Sequence, residues 1–293
     1  MNKTAGTSVP MPGTIGAPKY VFNFKEDFAK IGIVGLGFVG NAIKESMAFA
    51  DINIIAVDRD LQRSTHNFED LKDCEGIFVA VPTPFGENGE CDTSILEEVL
   101  EKLNELEYSS VVISKCTAPP DVYKKLNDKY PNLIHAPEFL TAANAVSDYA
   151  NGTFCIIGGR IKAYQREAER IIRIGQTNLK NISYCSISEA SLSKYVINSF
   201  MATKVIFMNE IYKLSEKIGT DYKKIANMVT MDPRIGKSHM QVPGPDGSFG
   251  FGGACFPKDT SALLKFAENS GVDLHVLDAA VHKNTLLRLT ESK

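Results

Sequence analysis

Two short stretches of this sequence carry residue types that chemistry needs, at spacings that chemistry uses. The first is Gly35-Leu36-Gly37-Phe38-Val39-Gly40, a GxGxxG pattern set between the apolar run KIGIV and the helically spaced NAIKESMAFA. There the first glycine permits a tight turn, the second lets a pyrophosphate approach the backbone, and the third lets helix and strand pack closely. The helix N-terminus then faces the phosphates. Asp58 closes the next apolar run, NIIAVD, where a carboxylate accepts hydrogen bonds from an adenosine ribose and repels a 2′-phosphate. NAD is therefore the expected cofactor. Arg59 argues the other way, because a guanidinium there would welcome a 2′-phosphate, and the plain alternative for Asp58 is a strand-end cap.

The second stretch is GFGGACFPKD, residues 250–259, in which Cys255 ends a glycine loop just before a helix opened by Pro257. Amides and the helix dipole at that N-terminus, together with Lys258, favour a thiolate. Gly250, Gly252 and Gly253 let a ligand approach the backbone, and the competing reading is a purely structural loop. Lys194 and Asn198 are four residues apart on a helical pattern and share a face, where an ammonium and an amide could stabilise an oxygen that becomes negative. A solvated lysine and a helix-to-helix hydrogen bonder is the alternative for that pair. Glu138 follows the run NLIHAP, at the strand end where open α/β sheets place ligands, although a surface glutamate is the commoner case.

The elements that must position these groups are legible as periodicities. Short β-branched runs (KIGIV, NIIAV, GIFVAV, SVVIS, NLIH, FCIIG) alternate with helical stretches such as SILEEVLEKLNEL, which implies a mostly parallel sheet with crossover helices. After about residue 185 the pattern is helical throughout. SISEASLSKYVINSFMATKVIFMNEIYKLSEKIG reads as one helix of about eight turns, apolar on several sides, which one small domain could hardly cover. A homodimer through that helix is expected. The expected fold is α/β: a Rossmann-type doubly wound parallel sheet at 30–185, followed by an all-helical dimerisation and catalytic domain at 186–293. Residues 1–29, rich in glycine and proline, are expected to form a flexible arm.

Composition narrows the class. With 32 Lys and Arg against 35 Asp and Glu over 293 residues, the net charge of -3 leaves no basic excess for nucleic acid. No run approaches the roughly 18 apolar residues of a spanning helix, and the first 30 residues lack the apolar block of a secretion signal. No membrane association and a cytoplasmic location are expected. The six cysteines form no CxxC pairs, so neither disulfides nor a metal site is expected.

Taken in order, GLGFVG (35–40), VPTP (81–84), KCT (115–117), APEFL (136–140), LSKYVINSF (192–200), MDPRIG (231–236) and GFGGACFPKD (250–259) resemble the UDP-glucose/GDP-mannose dehydrogenase family. The resemblance implies an NAD site lined by Gly35, Gly37, Phe38, Val39, Gly40, Asp58, Arg63, Thr83 and Thr117. It implies a nucleotide-sugar substrate whose C6 alcohol is oxidised to the acid through a thiohemiacetal and a thioester on Cys255. Lys194 and Asn198 would stabilise the oxyanion, Asp259 would assist proton transfer, and Glu138 and Thr117 would hold the hydrolytic water. Phe139, Leu140, Phe251, Gly252 and Gly253 would line the sugar site, with Arg234 reaching a substrate across the dimer. Two departures accompany this. Ala142 stands where the family has a second glutamate, and the sequence ends at Lys293, ahead of the family's third, nucleotide-holding domain. The alternatives are a two-domain alcohol or hydroxyacid dehydrogenase that does not need Cys255, and a non-catalytic NAD-binding partner of a longer dehydrogenase.

Overall fold

Each apolar run becomes a strand because its side chains are buried on both faces of one sheet. The computed structural model describes residues 30–48, 50, 52–86, 89–141 and 144–291; the expected arm at 1–29 and the departure at Ala142 lie outside them. The strands are β1 (Lys30–Val34), β2 (Asn53–Val57), β3 (Gly76–Val79), β4 (Val111–Ser114), β5 (Leu133–His135), β6 (Phe154–Gly158) and β7 (Asn181–Cys185). They lie in the order β2-β1-β3-β4-β5-β6-β7. Between them run α1 (Phe38–Met47), α2 (Ser94–Glu105), α3 (Pro120–Lys129), the short α4 (Ala145–Ala150) and α5 (Lys162–Gly175).

Alternate residues serve opposite faces, as the pleat requires. Val34, Ile55, Val57, Ile77, Val79, Val112 and Leu133 pack against Leu96, Leu100 and Leu103 of α2 and Tyr123 and Leu126 of α3. Ile31, Ile33, Ala56, Phe78, Ile113 and Ile134 pack against Ile43 and Met47 of α1, Tyr149 of α4, and Ala168, Ile171 and Ile172 of α5. A fully buried aliphatic or aromatic side chain contributes roughly 1.5–3 kcal/mol, so these two layers hold the sheet. The chain winds from β1 outward to β2, then crosses back to β3 on the other side of β1. The doubly wound expectation is met, and the C-terminal ends of β1 and β3 form the switch point at which such sheets bind ligands.

Two features differ from the sequence reading. β6 runs antiparallel to β5, joined at His135↔Gly158. The connection contains only the six-residue α4, about 9 Å long, too short to carry the chain back to the opposite edge of the sheet. β6 therefore starts beyond the C-terminal edge, bringing the Phe154 ring within 5.0 Å of Phe139. β7 is the second difference: most of its residues are exposed, so this edge strand lacks the apolar run that marks the others.

From Ile187 the chain is helical: α6 (Ile187–Lys217), α7 (Tyr222–Val229), α8 (Phe256–Asn269) and α9 (His275–Glu291). A capping box starts α6, with Ser186 Oγ accepting from Glu189 N and Glu189 Oε2 accepting from Ser186 N. Ser188 and Ser191 then donate to the carbonyls of Pro120 and Ala118, pinning α6 to the entry of α3. One face of α6 packs on α3, α8 and α9. The opposite face leaves Leu192, Val196, Phe200, Phe207 and Leu214 exposed at helical spacing.

His135, in β5, is buried with its ring stacked 4.1 Å from that of Tyr123 and its Nδ1 3.2 Å from the Ser114 carbonyl. Burial pushes its pKa down from 6.5 to about 3. The unfolded chain takes up this proton near pH 6.5 and the folded chain does not. Stability is therefore undiminished above pH 6.5 and falls as pH drops from there toward 3. Thermal melts across that range should lose a few kcal/mol to this residue, and His135→Gln should flatten the slope.

Candidate active site

The glycine loop after β1 is shaped by contact on one side and by open space on the other. Gly35 has φ +91°, and a Cβ there would meet the Ala80 carbonyl oxygen at 2.6 Å. A Cβ on Gly40 would stand 1.8 Å from the Gly35 carbonyl oxygen, so only glycine lets α1 approach the loop. A Cβ on Gly37 would meet nothing within 4 Å. Gly37 is also the N-cap of α1 and makes no side-chain cap, which leaves first-turn amides directed out of the helix end. Gly40→Ala should lower the unfolding free energy by upwards of about 2 kcal/mol. Gly37→Ala should leave the melting temperature unchanged and weaken NAD binding by about tenfold or more, read by calorimetric titration.

Asp58, just past β2, is tied into this loop. Its Oδ2 accepts from Leu36 N at 2.5 Å and its Oδ1 from Asp60 N at 2.8 Å, while the Ser64 hydroxyl accepts from Asp58 N and donates to the Asp58 carbonyl. A cleft of about 850 Å³ opens here, lined by Gly35, Gly37, Phe38, Val39, Asp58, Arg59, Arg63, Val81 and Pro82 among others. This is the size of a cofactor site. The unfilled space at Gly37, the uncapped helix end and the ribose-directed carboxylate suit a dinucleotide: Gly37 and α1 for the pyrophosphate, Asp58 for the ribose. Arg63 is exposed and pairs with Asp60 at 3.3 Å. Thr83 and Thr117 do not line this cleft. They sit on the turns after β3 and β4, where the Cys91 thiol lies 3.3 Å from the Thr117 carbonyl and 3.9 Å from that of Thr83.

A second cluster forms where α6 meets the start of α8. Asn198 donates to Asp259 Oδ2 at 2.5 Å and Lys258 pairs with Asp259 Oδ1 at 2.7 Å, so a carboxylate only 1% exposed is held from two sides. The Asp259 amide in turn donates to the Cys255 carbonyl at 2.8 Å, which makes Cys255 the N-cap of α8, one helical turn away. Cys255 is exposed, and it is the only one of the six free cysteines that is. Burial pushes Cys74 to about 12 and Cys116, Cys155 and Cys185 to about 11, and it raises Cys91 as well. These five are kept as thiols.

Lys194 donates to the Glu138 carbonyl and lies over the Phe139 ring at 5.0 Å. Burial lowers its pKa from the ordinary 10.5, opposed by the negative groups of Asp259, Cys255 and Glu138. The Glu138 carboxylate turns the other way. Its Oε2 is 3.0 Å from Lys115 Nζ in a pair whose side chains are 1% and 11% exposed, and its Oε1 accepts from Phe139 N. Cys255, Asp259 and Asn198 form one bonded group and Lys194, Glu138 and Phe139 another, and α6 joins them because Lys194 and Asn198 stand one turn apart on it.

Other expected residues fall elsewhere. The Phe251 ring is 4% exposed, packed with Ala202, Ile206, Ala280 and Leu287 rather than facing a sugar, because Asn284 clamps its backbone at both N–H and carbonyl. Gly253, with φ +76° and open space at its Cβ position, remains the approachable glycine of that loop. At Gly252 a Cβ would stand 2.9 Å from the Arg288 guanidinium. Leu140 packs against the core beside α1. Arg234 is exposed and within this chain bonds its neighbour Asp232; its expected reach is across a dimer, toward a second copy. Lys115 is the residue that motif reading passed over: it follows β4 as Glu138 follows β5, and the adjacency of those strands is what pairs them.

Residues 60–175 match the NAD-binding domain, and residues 188–286 the central domain, of the UDP-glucose/GDP-mannose dehydrogenase family. The UDP-glucose 6-dehydrogenase of Rickettsia bellii is 34% identical over 223 residues, covering 74% of this chain and 50% of that protein. A UDP-glucose dehydrogenase structure from Pyrobaculum islandicum aligns with a TM-score of 0.77 at 23% identity, over 89% of this chain and 68% of that one. The 3-hydroxyisobutyrate dehydrogenase of Mycobacterium tuberculosis aligns with a TM-score of 0.71 at 15% identity, over 87% of this chain and 92% of that one, a likeness of fold alone. The chain spans about half the length of the curated relatives it matches. The two matched stretches take in well over half of the sequence, and with the glycine loop and cleft described above they place the chain in the UDP-glucose/GDP-mannose dehydrogenase family, of which it carries the NAD-binding and central domains.

Proposed function

We propose that this chain oxidises the C6 alcohol of a nucleotide sugar to the acid, taking UDP-glucose, the sugar nucleotide its relatives are named for, to UDP-glucuronate. The observation that carries the reading is the single exposed cysteine, set at the N-cap of α8 within the electrostatic reach of Lys194. NAD bound in the cleft supplies the hydride acceptor for both oxidations, two per acid formed. Asp259, held by Asn198 and Lys258, relays the alcohol proton through water. Once the alcohol is an aldehyde, the Cys255 sulfur adds to the carbonyl carbon, and the oxygen that takes up the negative charge is stabilised by the Lys194 ammonium and the Asn198 amide. The second oxidation turns this thiohemiacetal into a thioester. Water adds to the acyl carbon with Glu138 as base, the C–S bond breaks, and the thiolate returns to Cys255. A reducing cytoplasm keeps that sulfur available.

The exposed stripe on α6 supports the expected homodimer, in which a second copy covers it. Phe200→Glu together with Phe207→Glu should convert a dimer to a monomer in sedimentation velocity runs. A second reading, a two-domain enzyme for a small hydroxyacid in which Lys194 and Asn198 act without Cys255, is compatible with the fold that the chain shares with 3-hydroxyisobutyrate dehydrogenase. The purified protein should be incubated with NAD and a panel of UDP-sugars, GDP-sugars and hydroxyacids, with reduced-nicotinamide absorbance and intact mass as readouts. An acyl adduct on Cys255 with one of the sugar nucleotides supports the proposal, reduction by a hydroxyacid alone supports the second reading, and no reduction by anything overturns both.

A further inference from the structure

Glu138 is the carboxylate of the site whose ion-pair partner comes from the sheet rather than from the helices around the cysteine. Its Oε2 meets Lys115 Nζ at 3.0 Å, and the Lys115 side chain is 1% exposed. Among the described residues Glu138 is its only ion-pair partner: Lys115 immediately follows β4 in the run SKCT, and its ammonium passes over the Tyr149 ring at 5.4 Å. Burying an ammonium costs several kcal/mol unless a partner offsets it, so the pair stands or falls together. The same glutamate supports Lys194 through its carbonyl. Lys115, Glu138 and Lys194 therefore form a line from the sheet interior to the group around Cys255.

We propose that Lys115 is the positioning residue for Glu138. It holds the carboxylate charge-compensated and fixed in orientation for the hydrolytic half of the reaction. The inference rests on the proposed thioester chemistry. In that step the water oxygen bonds to the acyl carbon, a water proton passes to Glu138 and then to solvent, and the sulfur leaves as thiolate; nothing is oxidised or reduced. Without the Lys115 ammonium the carboxylate keeps only the bond from Phe139 N and loses its charge partner, and hydrolysis slows while the two oxidations continue. Lys115 does not line the dinucleotide cleft, so NAD binding should be untouched.

The test compares wild type, Lys115→Met, Lys115→Arg, Glu138→Gln and the double variant Lys115→Met/Glu138→Gln, with Cys255→Ser in parallel. Each is mixed rapidly with NAD and UDP-glucose, or whichever sugar nucleotide the wild type oxidises, then quenched and weighed intact. Lys115→Met is expected to accumulate the acyl-enzyme and release acid at least about tenfold more slowly, with KM for NAD unchanged and partial recovery in Lys115→Arg. The double variant is expected to match Glu138→Gln, because Lys115 has no function once the carboxylate is gone. This comparison stands even if Lys115→Met alone, with a buried unpaired carboxylate, fails to fold. The inference is overturned if Lys115→Met hydrolyses at the wild-type rate, if it loses NAD binding and turnover together without acyl accumulation, or if the double variant is slower than Glu138→Gln by tenfold. Full acid production by Cys255→Ser would instead sink the thioester reading on which the inference rests.

Discussion

Cys255→Ser is expected to reduce formation of the acid by at least about 10³-fold while leaving NAD affinity and thermal stability at wild-type levels. The sulfur is exposed and is the N-cap of α8 without a side-chain cap bond, so its replacement by oxygen disturbs no packing. A serine hydroxyl is far less acidic than a thiol and is a much weaker nucleophile at neutral pH, so it does not add to the aldehyde as the sulfur does. The aldehyde is then not captured, and the second oxidation stops. Reduced nicotinamide per sugar should fall from two toward one or none, and the acyl adduct should disappear from the intact mass. Turnover close to wild type would favour the hydroxyacid reading, since the other five cysteines are kept as thiols by burial and cannot substitute.

Lys194→Met carries the second largest effect, an expected loss of about 10²–10³ in kcat, or about 3–4 kcal/mol of transition-state stabilisation. The ammonium is fixed by the Glu138 carbonyl and the Phe139 ring, so its charge is aimed before substrate arrives. Burial lowers its pKa below 10.5, and activity requires the charged form. The sign follows: as pH rises the ammonium loses its proton and kcat falls, so the alkaline limb should begin below the ordinary lysine range. Lys194→Arg should retain some activity and displace that limb upward, because a guanidinium stays protonated. KM for NAD should be the same in all three proteins, as Lys194 lies outside the dinucleotide cleft. A limb unmoved by Lys194→Arg would assign it to another group.

The local placement of the candidate residues was legible as text wherever it follows from chain direction. GxGxxG after an apolar run and before a helix sets Gly35, Gly37 and Gly40 into their three different tasks, because turn, approach and packing are all decided within six residues. Cys255 before Pro257 and a helical pattern is the same kind of signal, as is the four-residue spacing of Lys194 and Asn198. Phe251 was not legible: a phenylalanine in a glycine loop reads equally as a sugar wall or a core anchor, and only the Asn284 clamp from α9 settles which way the backbone turns it. Arg234 pairs within this chain with its neighbour Asp232, and its expected reach to a substrate across a dimer concerns a second copy.

Local sequence determined strands β1 to β6, the helix starts and the glycine loop, because those depend on side-chain period and on backbone sterics within a few residues, whereas the exposed edge strand β7 carries no such period. The tertiary structure alone decided that Lys115 meets Glu138, that Asn198 meets Asp259 across 61 residues, and that β6 reverses beside β5. Strand order and helix crossing bring such groups together, and a buried charge or amide accepts whatever partner that geometry supplies, which no spacing along the chain records.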